Sequence, residues 1–504
     1  MNPARSAVKA QDVRPEPSPA PSVSPLTGPE PRGSSTIPNR FDLVVVGAGS
    51  GGYAAARTAR DLGANVALVD DDGPLGGLCI LRGCMPSKTL LATAELLDSI
   101  RNAGALAVAA GTPKLDYRAL AARKRNLVQG WADYRIAGIE TFPVFRGRAR
   151  FESPTTLLVG DEVLYAPRFV IATGSSVAPA AVPGLAEAGF IDSDAALDLD
   201  EPPRSLIVLG GGYVGAELGQ FFHRAGVPTT MVVRAKHLLS GEDHDIGIGL
   251  TEYFREEGIR VETEAQVHRV SVREDGLKVV HYTQGGEARE VNAHEIFYAL
   301  GRVPNACGLE LDKAGVEHHE ITGIKVDETL RTTNPDIYAV GDVTGRFPLV
   351  HVAIQQGEIA GRNAATGARE RADYRLSKTH TVFTDPGVAV VGESERELQA
   401  AGIEYVKATY PFEDHGKAVA LGHTKGFVKM LAAPADGRIL GAAILGPNAS
   451  DLIEPLIVAM AYGATAADYA RIPHLHPTLV EILTYPAEEI AERLRTVPSL
   501  AVAK

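Results

Sequence analysis

The chain has 504 residues, 45% of them hydrophobic, with a formal net charge of -12 and a pI near 5.7. That balance excludes a nucleic-acid partner, because phosphate binding needs clustered Lys and Arg in excess, and no apolar run reaches the roughly 20 residues that span a bilayer. At roughly 100–200 residues per domain the length allows three domains or two large ones, and the expectation is a soluble, cytoplasmic enzyme with no bound metal.

Residues 1–39 hold nine prolines and almost no large apolar side chain. Such a stretch cannot bury enough surface to offset its ordering entropy, so a disordered extension is expected. It lacks the apolar core of a secretory signal, and Asp12, Glu16 and Glu30 do not suit a transit peptide.

Phe41–Val46 reads as a buried strand, followed at once by Gly47-Ala48-Gly49-Ser50-Gly51-Gly52 and an alanine-rich helix. Gly47, Gly49 and Gly52 allow a tight turn, close approach of a pyrophosphate and tight helix packing. A second strand, Asn65–Val69, ends at Asp70, where a ribose-binding acid should stand.

Two of the three cysteines, Cys79 and Cys84, lie in Gly76–Lys88. The run from Ser87 to Leu97 has helix-forming composition and Pro86 is tolerated in a first turn, which puts Cys84 near the positive end of a helix, where a thiolate is stabilised. With Gly83 between them the two can close a bridge or stand as a reactive dithiol. A purely structural bridge suits a secreted domain better than this chain.

From Asn102 to Ile139 the pattern is helical, with Arg123-Lys124-Arg125 as a solvated face. Short strands containing Val159 and Val163 follow. Phe169–Ile171 then runs into the small-residue turn Thr173-Gly174-Ser175, which suits either a passing ligand or an ordinary strand end.

A second dinucleotide signature starts at Ser205–Leu209 and continues through Gly210, Gly212 and Gly215. Two such units imply two nucleotides, and a redox pair beside the first makes flavin plus nicotinamide the economical reading. The strand Thr230–Val233 ends in Arg234, with Lys236 and His237 beyond and no acid in the turn. Arg there accommodates a 2′-phosphate, so NADPH is expected over NADH, although a solvent-facing arginine would look the same.

Residues 260–298 read as strands, and Tyr298–Asn305, including Gly301, as the exit from this unit. Cys307 has no cysteine neighbour. Ile337–Val340 closes on Gly341-Asp342, a carboxylate suited to a sugar or ribitol hydroxyl, and a helix begins near His351 and runs through Ile359. Beyond Tyr374 the strands Thr381–Val388, Gly426–Met430 and Ile439–Ile444 and a helix carrying Leu452 to Met460 suit an α+β unit. His476, followed by Pro477 and with Glu481 a turn later, can form a base with an orienting partner, or serve as a surface or interface histidine.

Taken together, Gly47–Gly52, Gly76–Lys88, Ala172–Ser175, Gly210–Gly215, Ala299–Asn305, Ile337–Asp342 and His476–Glu481 resemble the class I pyridine nucleotide-disulfide oxidoreductases over essentially all of residues 41–490. The resemblance implies an α/β protein with two Rossmann-like domains and a C-terminal α+β dimerisation domain. The FAD domain would span 40–190 and 304–373, the NAD(P) domain 191–303 and the interface domain 374–504, in a homodimer. It further implies that Cys84 contacts the flavin and Cys79 exchanges with substrate. Lys88 and Glu217 would pair near the flavin, and His476, backed by Glu481, would carry the proton across the dimer. His351 and Ala353 complete the implied cofactor set.

The redox loop departs from the family pattern in Leu78 and in Leu81-Arg82, and Arg82 either adds charge beside the dithiol or faces solvent. With three cysteines only, the paired cysteines of mercuric reductases are missing and mercury reduction is disfavoured. The sequence expectation is hydride transfer from NADPH through FAD to the cysteine pair and on to a small disulfide. Alternatives are a dihydrolipoyl dehydrogenase running toward NAD reduction and a redox-responsive flavoprotein that binds a partner.

Overall fold

The computed structural model describes residues 39–496. The disorder expected for residues 1–39 falls, apart from Asn39, outside the described residues.

Leu43–Val46 is apolar at every position because both of its faces are covered. Val44 and Val46 join a core with Phe151, Leu157 and Phe169, while Leu43 and Val45 face Ala55, Ala56 and Ile359 of two helices. It is the central strand of a parallel sheet. Val66–Asp70 and then Val144–Arg146 lie on one side, and Phe169–Ile171 and then Ile337–Ala339 on the other. This is a doubly wound order whose direction reverses beside Leu43–Val46, the place where such sheets bind ligands.

The second unit repeats the plan. Leu206–Leu209 is flanked by Thr229–Val232 and Arg260–Glu262 on one side and Glu295–Tyr298 on the other, all parallel. Leu43 pairs with Val66 as Leu206 pairs with Thr229, at the same sequence separation. The chain enters this unit through Ser175–Val177 and returns through Arg302–Pro304, which pair antiparallel. Val177, Val182 and Leu185 already pack on Ile207 and Leu209, so the second core begins before residue 191.

The third sheet is antiparallel, in the order His380–Val382, Gly387–Gly392, Ile439–Gly446, Phe427–Ala432, Val406–Pro411. Its two-residue alternation is buried on both sides. Ala389, Val391, Ala442 and Ile444 face Leu456, Ile482 and Ile490 of the C-terminal helices. Val388, Val390, Ala443 and Leu445 face Leu250 and Phe254 of the second unit, in a core that also holds Leu90 and Ala94 of the helix Cys84–Asn102. The redox segment is thereby fixed against both other units.

Several elements differ from the sequence expectation. The helical stretch from Asn102 to Ile139 is broken: the helix ends at Asn102, a short 3-10 turn covers Ala103–Leu106, and the next helix starts at Tyr117. Gly104, Gly111 and Pro113 are poor helix formers, and Asp116 caps the new start by accepting the Ala119 N–H. The strand expected over Thr381–Val388 stops at Val382 and resumes at Gly387, around Pro386, which has no N–H to give a ladder. The helix around Leu452 is two pieces, Ala449–Leu452 and Glu454–Ala461, with Pro455 in the first turn of the second. Pro477 precedes the 3-10 turn Leu479–Leu483, whose capping box is formed by Thr478 and Glu481, and the last helix, Thr484–Thr496, follows directly.

Across the border between the second and third units Lys429, fully buried, reaches Asp243 and Asp245 at 2.7 Å and Glu395 at 3.4 Å. Removing one partner of a buried ion cluster leaves charge without compensation, so Lys429→Ala is expected to destabilise the protein by about 3–5 kcal/mol. Thermal unfolding of the full-length protein checks this.

Candidate active site

The two glycine turns open at the carboxyl ends of the central strands. A side chain at Gly52 would lie 1.8 Å from the Gly47 carbonyl, and one at Gly215 2.4 Å from that of Gly210. Only glycine lets each helix start this close to its strand. The helices Ser50–Asp61 and Tyr213–Arg224 have neither a side-chain cap nor an acid in the first turn, behind Gly49 and Gly212 respectively. Their free N–H groups are suited to a pyrophosphate.

Asp70 lies at the end of its strand. Its two oxygens accept the N–H groups of Ala48 at 2.7 Å and Asp71 at 3.0 Å, and a carboxylate of this kind keeps lone pairs for a sugar hydroxyl. Burial raises its pKa, against the Ala48 N–H.

Gly174 and Gly301, both at positive φ, face open space, whereas the hydroxyls beside Gly174 are already bonded. Thr173 Oγ1 donates to Asn305 O at 2.8 Å. Ser175 Oγ donates to Asp342 at 2.7 Å and accepts from Arg302 Nε at 2.9 Å. A ligand passing here meets backbone, with Asp342 as the carboxylate within the cluster. These residues fit FAD at the first turn and a nicotinamide dinucleotide at the second.

Of the expected cofactor contacts, His351 is placed differently and Arg234 is left bare. His351 Nε2 is hydrogen-bonded to Ser377 O at 2.7 Å, so its ring serves the following segment. His237 is buried, with Nδ1 on Leu238 O at 2.7 Å. Arg234 is exposed just past the strand Thr229–Val232. Ala353 is buried, and its carbonyl would stand 3.0 Å from a side chain at Gly51.

Cys79 lies in the helical turn Leu78–Arg82 and Cys84 starts the helix Cys84–Asn102, with Gly83 between. Both thiols are free, so the pair stands in its dithiol state. The Cys79 thiol donates to the Cys84 sulfur. That bond, opposed by burial and helped by Lys88, brings the Cys84 pKa down to about 7 and, with burial, pushes that of Cys79 far up. The charge of the ionised pair thus lies toward Cys84 and the proton toward Cys79.

Lys88, one turn along the same helix, bonds Glu217 at 2.6 Å. The other Glu217 oxygen accepts the Phe383 N–H at 2.9 Å, and the Phe383 ring lies 4.5 Å from the Lys88 ammonium. Sequence reasoning did not single out Phe383. Arg82 pairs with Asp194, at 3.4 Å, and the charges acting on Cys84 are those of Lys88, which lowers its pKa, and Glu217, which raises it.

His476 is 81% exposed at its side chain, and its Nδ1 meets Glu481 Oε1 at 3.1 Å. Thr478 N–H holds the second Glu481 oxygen at 3.1 Å. Among the described residues of one chain, no hydrogen bond or ion pair links His476 to either cysteine. A further polar cluster was not foreseen: Tyr213, beside the second glycine turn, donates to Glu242, which also meets His380 Nε2 at 2.9 Å.

Residues 41–357 match the family described as pyridine nucleotide-disulphide oxidoreductase, and residues 379–487 its dimerisation domain. The chain belongs to this family. A dihydrolipoyl dehydrogenase of Geobacillus stearothermophilus is 35% identical over 455 residues, 89% of this chain and 95% of its own length. A mercuric reductase of Streptomyces lividans is 36% identical over 460 residues, 89% and 96% of the two. Among solved structures, the HOCl-induced flavoprotein disulfide reductase RclA of Escherichia coli aligns with a TM-score of 0.79 at 26% identity, covering 89% of this chain and 99% of its own.

This pyridine nucleotide-disulphide oxidoreductase is therefore an enzyme of the FAD- and pyridine nucleotide-dependent class, with two dinucleotide-binding α/β units and a dimerisation domain. Among its described residues no helix is long and apolar enough to cross a membrane.

In the reduced protein, iodoacetamide labelling of Cys84 is expected to rise with pH through a midpoint at about 7. Replacing Lys88 by Met removes a favourable charge and should move that midpoint upward. Mass-spectrometric quantification of the labelled peptide measures both.

Proposed function

We propose that this enzyme reduces a small disulfide with NADPH, through FAD and the Cys79–Cys84 pair. The observation that carries the reading is the placement of two adjacent thiols, Cys79 in the turn Leu78–Arg82 and Cys84 at the start of the next helix, one turn from Lys88 and its Glu217 partner.

Bound FAD supplies a two-electron link between the nicotinamide and the sulfur pair. Lys88, held by Glu217 and the Phe383 ring, keeps positive charge beside Cys84. Cys79, once relieved of its proton, attacks one sulfur of the substrate disulfide, forming a mixed disulfide and releasing a thiolate. Cys84 then attacks the Cys79 sulfur, which closes the internal bridge and releases the second thiol. Two electrons pass from the pair to the substrate.

Removing the Cys79 proton and returning it to the departing sulfur needs a base of near-neutral pKa. His476 of the partner subunit fills that role in the proposed homodimer. The Glu481 contact fixes Nδ1 as the protonated nitrogen, which leaves Nε2 to face sulfur. The proposed domains are 40–190 with 304–373 for FAD, 191–303 for the nicotinamide and 374–504 for the interface, with the segment from Val177 to Leu185 already packed on the second core.

A second reading, dihydrolipoyl dehydrogenase working toward NAD reduction, draws support from the relatives of that name and from the His474–Thr478 segment. Arg234, exposed where a 2′-phosphate would lie, favours NADPH.

Steady-state rates with oxidised glutathione, lipoamide and coenzyme A disulfide against both nicotinamides separate the two. NADPH is expected to be the better donor, and Arg234→Glu should lower its kcat/KM by about tenfold or more, the value of one charge-assisted contact. An unchanged preference would move the second reading ahead. His476→Gln should lower disulfide turnover by about 10²–10⁴-fold while leaving flavin reduction by the nicotinamide intact, as followed by stopped-flow absorbance.

A further inference from the structure

Glu481 lies between two histidines, and only one of them is His476. His415, at the start of the short helix Gly416–Leu421, has a fully buried side chain, and its Nε2 stands 3.8 Å from the same Oε1 that receives His476. On the other side of the ring Nδ1 accepts the Ala418 N–H at 3.4 Å. An acceptor at Nδ1 places the proton of the neutral imidazole on Nε2. That N–H has no hydrogen-bond partner in the protein, and the Glu481 carboxylate is the anion it faces.

The other groups around His415 are neutral or remote. Tyr485 of the last helix meets the ring edge-on at 6.1 Å, and Tyr410 of the neighbouring strand is stacked on Tyr485. Tyr410 OH in turn bonds the Asp414 carbonyl, and Glu488 lies behind Tyr485. The phenols of Tyr410 and Tyr485 both have raised pKa values through burial. Besides Glu481, the charge that acts on His415 is that of protonated His476, by repulsion.

We infer that His415 is a positioning residue for the proton carrier: its Nε2–H dipole draws on the Glu481 oxygen that His476 uses and so holds His476 in its basic, proton-accepting form. A buried N–H 3.8 Å from a carboxylate oxygen weakens, through its dipole, what that oxygen can offer a second donor. His476 therefore yields its proton at lower pH than an unshared His–Glu pair would. The arrangement needs His415 itself to stay neutral. Burial lowers its pKa, with Glu481 opposing and His476 reinforcing. The inference rests on the assignment of His476 as the base that deprotonates Cys79.

The test uses the two-electron-reduced holoenzyme and iodoacetamide, with labelling at Cys79 followed by mass spectrometry across pH. Since Cys79 keeps its proton, its labelling should follow the ionisation of His476. His415→Asn retains an oxygen for the Ala418 cap but removes the Nε2–H. His415→Gln retains an N–H near the Nε2 position. His415→Asn is expected to move the Cys79 midpoint up by about half a unit, roughly threefold slower labelling on the acid side, while His415→Gln leaves it in place. If His476→Gln abolishes the pH limb and His415→Asn leaves it where it was, the inference fails and the base assignment stands. If His476→Gln leaves the limb untouched, the base assignment fails and takes the inference with it. Should His415→Asn not fold, histidine-selective 15N NMR of the unsubstituted holoenzyme decides: His415 neutral with the proton on Nε2 throughout the pH range of the Cys79 limb supports the inference, and a protonated His415 in that range overturns it.

Discussion

The ion pair between Lys88 and Glu217 is where the chain becomes one machine. Lys88 belongs to the helix that begins at Cys84, Glu217 to the helix that opens at the second glycine turn, and the second Glu217 oxygen is held by the backbone of Phe383. Three stretches distant in sequence thus converge on one carboxylate that is only 8% exposed at its side chain. The pair also decides the chemistry of the sulfurs. Beside the bond from Cys79, Lys88 is the cation that lowers the Cys84 pKa against burial and the Glu217 charge, and a thiolate so favoured is the form that attacks a neighbouring disulfide sulfur.

Packing explains why that point can be held so firmly. The C-terminal sheet is covered on both faces, by its own helices on one side and by the second unit on the other, in a core shared with Leu90 and Ala94. A helix anchored through that core has little freedom to drift away from its cation and carboxylate partners, because interiors at crystal-like density resist displacement. The buried Lys429 cluster adds direction to the same border, since a charge in such a place tolerates only the geometry that compensates it.

Much of this was legible in the residues. Glycine turns are local constraints, and the order strand, glycines, helix, strand, acid needs no knowledge of distant parts of the chain. Cys84 at a helix start could be read from Pro86 and the run that follows. What escaped were contacts made only by folding: Phe383 over Lys88, His380 and Tyr213 on Glu242, and His415 behind Glu481. No spacing signals them, because their partners lie far off in sequence. Direction was equally hidden. His351, His237 and Arg82 are where the sequence put them, but their side chains turn toward Ser377, Leu238 and Asp194, and the break between Leu106 and Tyr117 lay in glycines and a proline within an otherwise helical composition.

The near identity of the two glycine turns carries a consequence for how such a protein can change. Each turn meets its neighbouring strand in the same way, with Ala172 closing over Gly47 as Ala299 closes over Gly210. The backbone shape of the turn is therefore generic, written twice. Whatever distinguishes one nucleotide from the other must lie on the rim, at strand ends and loop tips where single replacements disturb no packing. Donor preference in such a molecule is free to drift while the turn beneath it stays fixed.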